Sequence, residues 1–249
     1  MLIQLGFREE GRKGRGDDAG DVCDKMKIIE KSKSKVVFTS DMDVSLANAI
    51  RRSVNEIPIL AVDEVEFYKN DSVLNDQIIA HRIGLLPLKK VNVKDSNPLQ
   101  LKLSVKGPKT AYAGELGNQV VYPDMPIIVL EKNQELELVA YARMGKGIEH
   151  VKYSPGHVYY KSLYDIEIKK NVDKVKVFLE DKKVMIIEKL DKDKYRCNIS
   201  ESLLDALKDD FKDSVEIAEA SEIIFFIESF GQIDADKILV EAVDILREN

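Results

Sequence analysis

Between positions 97 and 195 apolar and polar residues alternate with the two-residue period of strands that bury one face. Leu99, Leu101, Leu103 and Val105 are separated by Gln100, Lys102 and Ser104, and Gly107-Pro108 ends the run. Leu136, Leu138, Ala140 and Ala142 repeat the pattern after the apolar run Ile127 to Leu130. Val175, Val177 and Leu179, followed by Val184 and Ile186 across Asp181-Lys182-Lys183, predict a hairpin or two adjacent strands. The stretch is therefore expected to form a mostly β unit.

The period changes on both sides of it. Asp43 can cap a helix in which Leu46, Ile50, Val54 and Ile57 share one face, and Pro58 stops it. The opposite face shows Asn48, Arg51, Arg52 and Asn55. Ile59 to Tyr68 reads as a strand with Val65 and Phe67 on one side and Glu64 and Glu66 on the other. After a turn at Asn70-Asp71, Asn75 or Asp76 caps a short helix with Ile79 and Ile83 one turn apart. Gly84 stands where a left-handed C-terminal cap is expected, and Leu85-Leu86-Pro87-Leu88 leaves in extended form. Ile28 and Ile29, then Val36 to Phe38, predict two short strands about a Lys-rich turn. Near the other terminus, Ser200 caps a helix carrying Leu203, Leu204, Leu207 and Phe211, and Ile223 to Ile227 reads as a central strand. Gly231 turns the chain into a last helix, begun by Asp234 or Asp236, with Ile238, Leu239, Ala242, Ile245 and Leu246 on one side and Val240 and Val243 flanking them. Packing on its own sheet and packing against a partner both account for so wide an arc.

With 249 residues the chain can bury a sizeable core, and two compact units are expected. A net charge of -6 gives no support for a chain-wide nucleic-acid surface. Residues Gly11 to Lys25 hold almost nothing to bury and are expected to be disordered, either as a tail or as a leader ahead of a natural start at Met26. The beginning is charged too early for a signal peptide and no run is long enough to span a bilayer, so a cytoplasmic location is expected.

Little of the composition carries chemistry. His81, His150 and His157 form no metal-like spacing, and Cys23 and Cys197 form neither a disulfide framework nor a cluster motif. Gly145-Lys146-Gly147 lacks the spacing and the Ser/Thr of a phosphate loop. On these grounds no catalytic site is expected. A small-molecule enzyme using Arg143, Lys146 and His150 and a self-associating homodimer module stand as alternatives.

Four blocks carry a resemblance. They are Leu46-Ala47-Asn48-Ala49-Ile50-Arg51-Arg52 with Glu56-Ile57-Pro58, Ala80-His81-Arg82-Ile83-Gly84-Leu85-Leu86-Pro87-Leu88, Ala142-Arg143-Met144-Gly145-Lys146-Gly147 with His150 to Gly156, and Phe226-Ile227-Glu228-Ser229-Phe230-Gly231. In order and content they resemble the assembly-subunit family of multisubunit RNA polymerases, which includes the archaeal D-type assembly protein, the eukaryotic third-largest core subunit and the N-terminal domain of bacterial alpha. The resemblance implies an α+β fold in which a split α/β dimerisation domain, residues 26–64 and 222–249, is interrupted by a mostly β insert domain, residues 65–221. Residues 1–25 are an extension outside both.

It further implies a noncatalytic scaffold that forms a heterodimer with small subunit L, here through Leu46, Ile50, Ile238, Leu239, Ala242, Ile245 and Leu246. Asn48, Arg51, Arg52, His81 and Arg82 would face the second-largest catalytic subunit. The insert domain, with its loop residues Arg143, Gly145, Lys146, Gly147, His150 and Lys152, would meet that subunit and the small subunits N and P. DNA would be reached only through the complex. Some relatives hold an iron-sulfur cluster in a ferredoxin-like segment, roughly where this chain has residues 171–220. Only Cys197 is present there, so a cluster-free version without cofactors is expected.

Overall fold

The computed structural model describes residues 26–91, 93 and 97–248. The leader expected to be disordered, and with it the alternative starts, lies outside the described residues. In chain order the elements are β1 (Lys27–Lys31), β2 (Lys35–Ser40), α1 (Val44–Ser53), β3 (Ile59–Asn70), α2 (Asp76–Gly84), β4 (Leu99–Lys106), β5 (Lys109–Tyr112), β6 (Pro126–Leu130), β7 (Glu135–Gly145), β8 (Gly156–Ile168), α3 (Val172–Asp181), β9 (Met185–Asp191), β10 (Lys194–Asn198), α4 (Glu201–Asp210), β11 (Val215–Ser229) and α5 (Ala235–Glu248). The fold class is the expected α+β.

Contacts divide the chain into two compact units. One takes in residues 26–31, 36–47 and 159–226, and is built on a six-stranded sheet in the order β1-β2-β11-β8-β10-β9. The apolar run Ile223 to Ile227 is buried on both faces because β11 lies inside this sheet, with Phe225 stacked on Phe38 at 5.3 Å and Phe226 on Tyr159 at 4.6 Å. From β8 onward the order is β-α-β-β-α-β, with the strands arranged β11-β8-β10-β9, which is the ferredoxin-like split βαβ arrangement. Its core joins Ile166, Val175, Leu179, Tyr195, Cys197, Leu204 and Leu207, and Phe178 meets Phe211 edge-on at 5.7 Å.

Here one sequence expectation is corrected. Residues 172–181 form helix α3 rather than a strand. The apparent alternation of Val175, Val177 and Leu179 hides an i, i+4 pair: Val175 and Leu179 are buried while Val177 stays exposed. Ser200 occupies the N-cap of α4, although its side chain makes no capping hydrogen bond.

The other unit comprises residues 32–35, 48–158 and 227 onward. Its main sheet is β3-β7-β4, antiparallel throughout, and the alternation seen in sequence becomes register: Leu103 faces Leu138, and Leu138 faces Phe67. Leu101, Leu103, Leu136, Leu138 and Ala140 bury one face of it, and Ile79 and Ile83 of α2 join the same core. Glu135 receives Lys69 and Lys106, each at 2.9 Å, linking the ends of all three strands and holding its carboxyl down at about 2. Asn75 caps α2 by accepting from the Ile78 N–H at 3.0 Å. Gly84, however, is not a left-handed cap. It is the last helical residue, and Leu85, in the right-handed region, donates back to the His81 carbonyl at 3.2 Å.

Helix α1 also ends earlier than its apolar spacing suggests. It stops at Ser53, and a 3-10 turn, Val54–Glu56, carries the chain to Pro58. Within this unit the buried Ser53 hydroxyl donates to the carbonyls of Ile50 and Ala242, both at 2.9 Å, fastening the end of α1 to α5. Sheet pairing thus groups β8 to β10 with β1, β2 and β11, so the contact units cut the chain elsewhere than at 64/65 and 221/222. Pairing between strands more than a hundred residues apart leaves no periodic trace in either strand.

Candidate subunit-docking surface

The polar face of α1 begins with a self-made tie. Arg51 donates to Asn48 Oδ1 from Nε at 3.3 Å and from Nη2 at 2.8 Å, three residues apart on the helix. This fixes Arg51 half-buried, while the neighbouring Arg52 is exposed. On α2, His81 is exposed, and Arg82 is held by donation from Nη2 to the Pro126 carbonyl at 2.9 Å.

The loop after β7 fits closely against the end of α1 and the start of β3. A Cβ on Gly147 would lie 2.8 Å from Asn55 Oδ1, and one on Gly145 would lie 2.6 Å from the Tyr153 ring, so both positions need the bare backbone. Ile148 donates its N–H to the Asn55 carbonyl at 3.1 Å, and Ser154 Oγ reaches Asn55 Oδ1 at 3.3 Å. His150 Nδ1 accepts from the Lys152 N–H at 3.1 Å and caps the 3-10 turn Val151–Tyr153, which is a structural task. Lys146 is exposed.

Asp63 is the hub of this fit. The β3–β7 register skips it between Val62 and Glu64, and a bulge of this kind re-aims a side chain. Its carboxylate takes Lys152 Nζ at 2.7 Å and the Tyr153 hydroxyl at 3.2 Å. The hydrogen bond from Lys152 holds Asp63 below the usual carboxylate range, while burial, with the Asp63 charge beside it, pushes the Tyr153 phenol up to about 12. Arg143 lies 3.4 Å from Glu64, with its Nε buried and without a hydrogen-bond partner. Lys152 and Leu85 line two clefts. One, of about 220 Å³, is lined by Asp63, His81, Gly84 and His150 among others, and neither Arg143 nor Lys146 lines it.

The residues expected to pair with a partner subunit divide by burial. Ile50, Ile238, Leu239 and Ala242 are already buried by the chain itself, Ile245 and Leu246 are half-buried, and Leu46 is exposed. Asn55, Asp63 and Tyr153 are the participants that the sequence-level site omitted. Asn55 did stand on the polar face of α1, and the adjacent pair Asp63-Glu64 breaks the alternation of β3, which is the mark of a bulge.

The description "RNA polymerase Rpb3/RpoA insert domain" belongs to the family model that matches residues 65–164. The DNA-directed RNA polymerase subunit Rpo3 of Pyrococcus horikoshii is 40% identical over 164 residues, which is 60% of this chain and 63% of that protein, under two thirds of its length. Rpo3 of Thermococcus kodakarensis is 34% identical over 239 residues, covering 88% of this chain and 92% of that one. The chain belongs to the Rpo3/Rpb3 family of DNA-directed RNA polymerase subunits. The RNA polymerase II subunit rpb3 of Dictyostelium discoideum is also similar, 34% identical over 167 residues, or 53% of this chain and 55% of that protein.

The family's insert match takes in α2, β7 and the loop from Arg143 to Gly156 with Lys152 and Tyr153, while their partners Asp63 and Asn55 precede it. Among the described residues no group of three or more His, Cys, Asp or Glu side chains is placed to hold a metal ion, and no helix is long and apolar enough to cross a membrane.

Proposed function

We propose that this Rpo3/Rpb3-family chain is the noncatalytic assembly subunit of its polymerase, working in the cytoplasm. It forms a heterodimer with a small L-type subunit, and that pair recruits the second-largest catalytic subunit and small subunits of the N and P type; DNA is met only through the assembled enzyme. One observation carries the reading: α5 buries Ile238, Leu239 and Ala242 in its own chain yet keeps Val240, Val243 and Leu246 partly exposed. An apolar stripe left after the chain's own core is filled suits a second helix. Arg52 on the polar face of α1, with His81 on α2, supplies groups for the large subunit.

The ferredoxin-like segment is proposed to be cluster-free. Several thiolates are needed for a cluster, and Cys197 stands within the apolar core, its thiol pushed up to about 12 by burial.

Co-expression with the L-type subunit of the same genome, followed by mass measurement, is expected to yield a monodisperse 1:1 complex. Val243→Asp with Leu246→Asp should abolish it, because the apolar seam would bury two unpaired carboxylates. These positions serve better than Leu239, whose substitution would disrupt the chain's own core. A homodimer, or an indifferent monomer, would overturn the proposal.

A further inference from the structure

The sheet β3-β7-β4 buries Leu101, Leu103, Leu136, Leu138 and Ala140 on one face, and the residues that alternate with them form the other. On that outer face Glu66 pairs across the strands with Val139, and Val139 with Lys102; Glu64 pairs with Tyr141, and Tyr141 with Gln100. The β3–β7 register shifts between Phe67 and Lys69, so Tyr68 sits on a bulge that re-aims its side chain, and it is 60% exposed.

Two phenols converge there on one carboxylate oxygen. Tyr68 donates to Glu66 Oε2 at 3.0 Å and Tyr141 donates to the same atom at 3.1 Å, so the rings reach the carboxylate from neighbouring strands. The hydrogen bond to Glu66 holds both phenols above the ordinary value of 10.0, which keeps the rings neutral throughout the physiological range. Among the described residues no lysine or arginine pairs with Glu66. Arg143 lies against Glu64 at 3.4 Å, and Lys102 stands one strand further on, beyond Val139. Glu64 and Glu137 add to the negative field around the two rings.

This face is therefore complementary to a cation, and its rings narrow the choice of cation. A guanidinium stacks on an aromatic face while its edge donates to a carboxylate, whereas an ammonium is a compact, strongly hydrated point charge. A purely apolar side chain seated on the rings would cover the Glu66 charge without giving it a partner, which is costly.

We propose that this sheet face docks an arginine-bearing segment of another polymerase subunit, with the guanidinium lying against the Tyr68 ring and donating to Glu66. The proposal rests on the reading of the chain as a docking scaffold, and adds which face a partner covers and which side chain the partner brings.

Two arms test it on the full chain. In reconstitution with the L-type subunit and the remaining polymerase subunits, Glu66→Arg and Tyr68→Ala, both at exposed positions, should each be incorporated at one tenth or less the level of the unsubstituted chain mixed in equal amount. Pairing with L should stay unchanged, and Tyr68→Phe, which keeps the ring, should be incorporated better than Tyr68→Ala. In the second arm, a benzophenone side chain in place of Gln100, beside Tyr141 in register, should cross-link in polymerase purified from cells to an arginine-containing segment of another subunit. Changing that arginine to glutamate should restore incorporation of Glu66→Arg. Equal incorporation of Glu66→Arg, Tyr68→Ala and the unsubstituted chain would overturn the proposal, as would a failed charge swap. Cross-links only within this chain, to a segment without arginine, or to nothing would overturn it too. Failure of the unsubstituted chain to pair with L would count against the scaffold reading instead, and the cross-link in purified polymerase would still report on this face.

Discussion

The ferredoxin-like segment from β8 to β11 and the loop from Arg143 to Gly156 hold their shapes by different means. The segment relies on apolar burial: two helices cover one sheet face, and even its cysteine serves as packing. The loop relies on a few close fits, namely two glycines against Tyr153 and Asn55, one carboxylate that gathers a lysine and a phenol, and hydrogen bonds to Asn55. Burial spreads stability over many atoms, so no single surface group matters much. Close fits concentrate it, and leave outward side chains such as Val151 and Lys146 at defined positions on a shape that any one added atom can disturb.

The largest effect should come from the segment. Leu207 is fully buried in its core, and Leu207→Ala removes three carbons and leaves a cavity, at a cost of about 3 kcal/mol. Urea denaturation should show that loss, while the fraction of folded chain that pairs with the L-type subunit stays the same. A pairing defect larger than the loss of folded chain would mean that the segment is a docking element as well.

Next in size are the glycines, which separate close fit from mere presence. Gly156→Ala would put a Cβ 2.3 Å from the Glu228 carbonyl oxygen, a backbone atom that cannot swing away, and should cost about 2 kcal/mol. Gly84→Ala meets nothing nearer than the Val62 carbonyl oxygen at 3.8 Å and ends a helix, so it should be neutral or stabilising by up to about 1 kcal/mol. Thermal melts of the two variants compare them directly; equal losses would show that the loop's fit at its glycines is not what holds it.

The two glycines also mark what the chain discloses on its own. Strands whose one face is buried, such as Leu99 to Val105, announce themselves because alternation is a local consequence of the pleat. Helix α5 and the cap at Asn75 are local as well. Val175 to Leu179 misleads because five residues satisfy both the two-residue and the four-residue period, and only the partner surface decides which is used. The proposed docking surface divides in the same way. Asn48, Arg51 and Arg52 follow from one helix face, whereas Asp63 and Tyr153 matter because residues ninety apart in sequence meet. The exposed or buried state of Leu46 and Leu239 depends on what the rest of the chain covers, which no pattern within either helix encodes.

The smallest effect tests the loop's carboxylate hub. Lys152 hydrogen-bonded to Asp63 keeps the Asp63 carboxyl below its ordinary value of 3.8, so the folded protein binds that proton less readily than the unfolded chain. The stability it adds is therefore present above about pH 4, the unfolded value, and is lost as pH falls through the lower folded value. Asp63 is about one third exposed, so solvent screening limits the contribution to under about 1 kcal/mol. Asp63→Asn should accordingly be slightly less stable than the unsubstituted chain from pH 5 to 8, with the gap closing toward pH 3, as followed by urea denaturation at each pH. A gap that stays constant to pH 3 would assign the loss to side-chain packing rather than to charge, and would leave the glycine contacts as the main support of the loop.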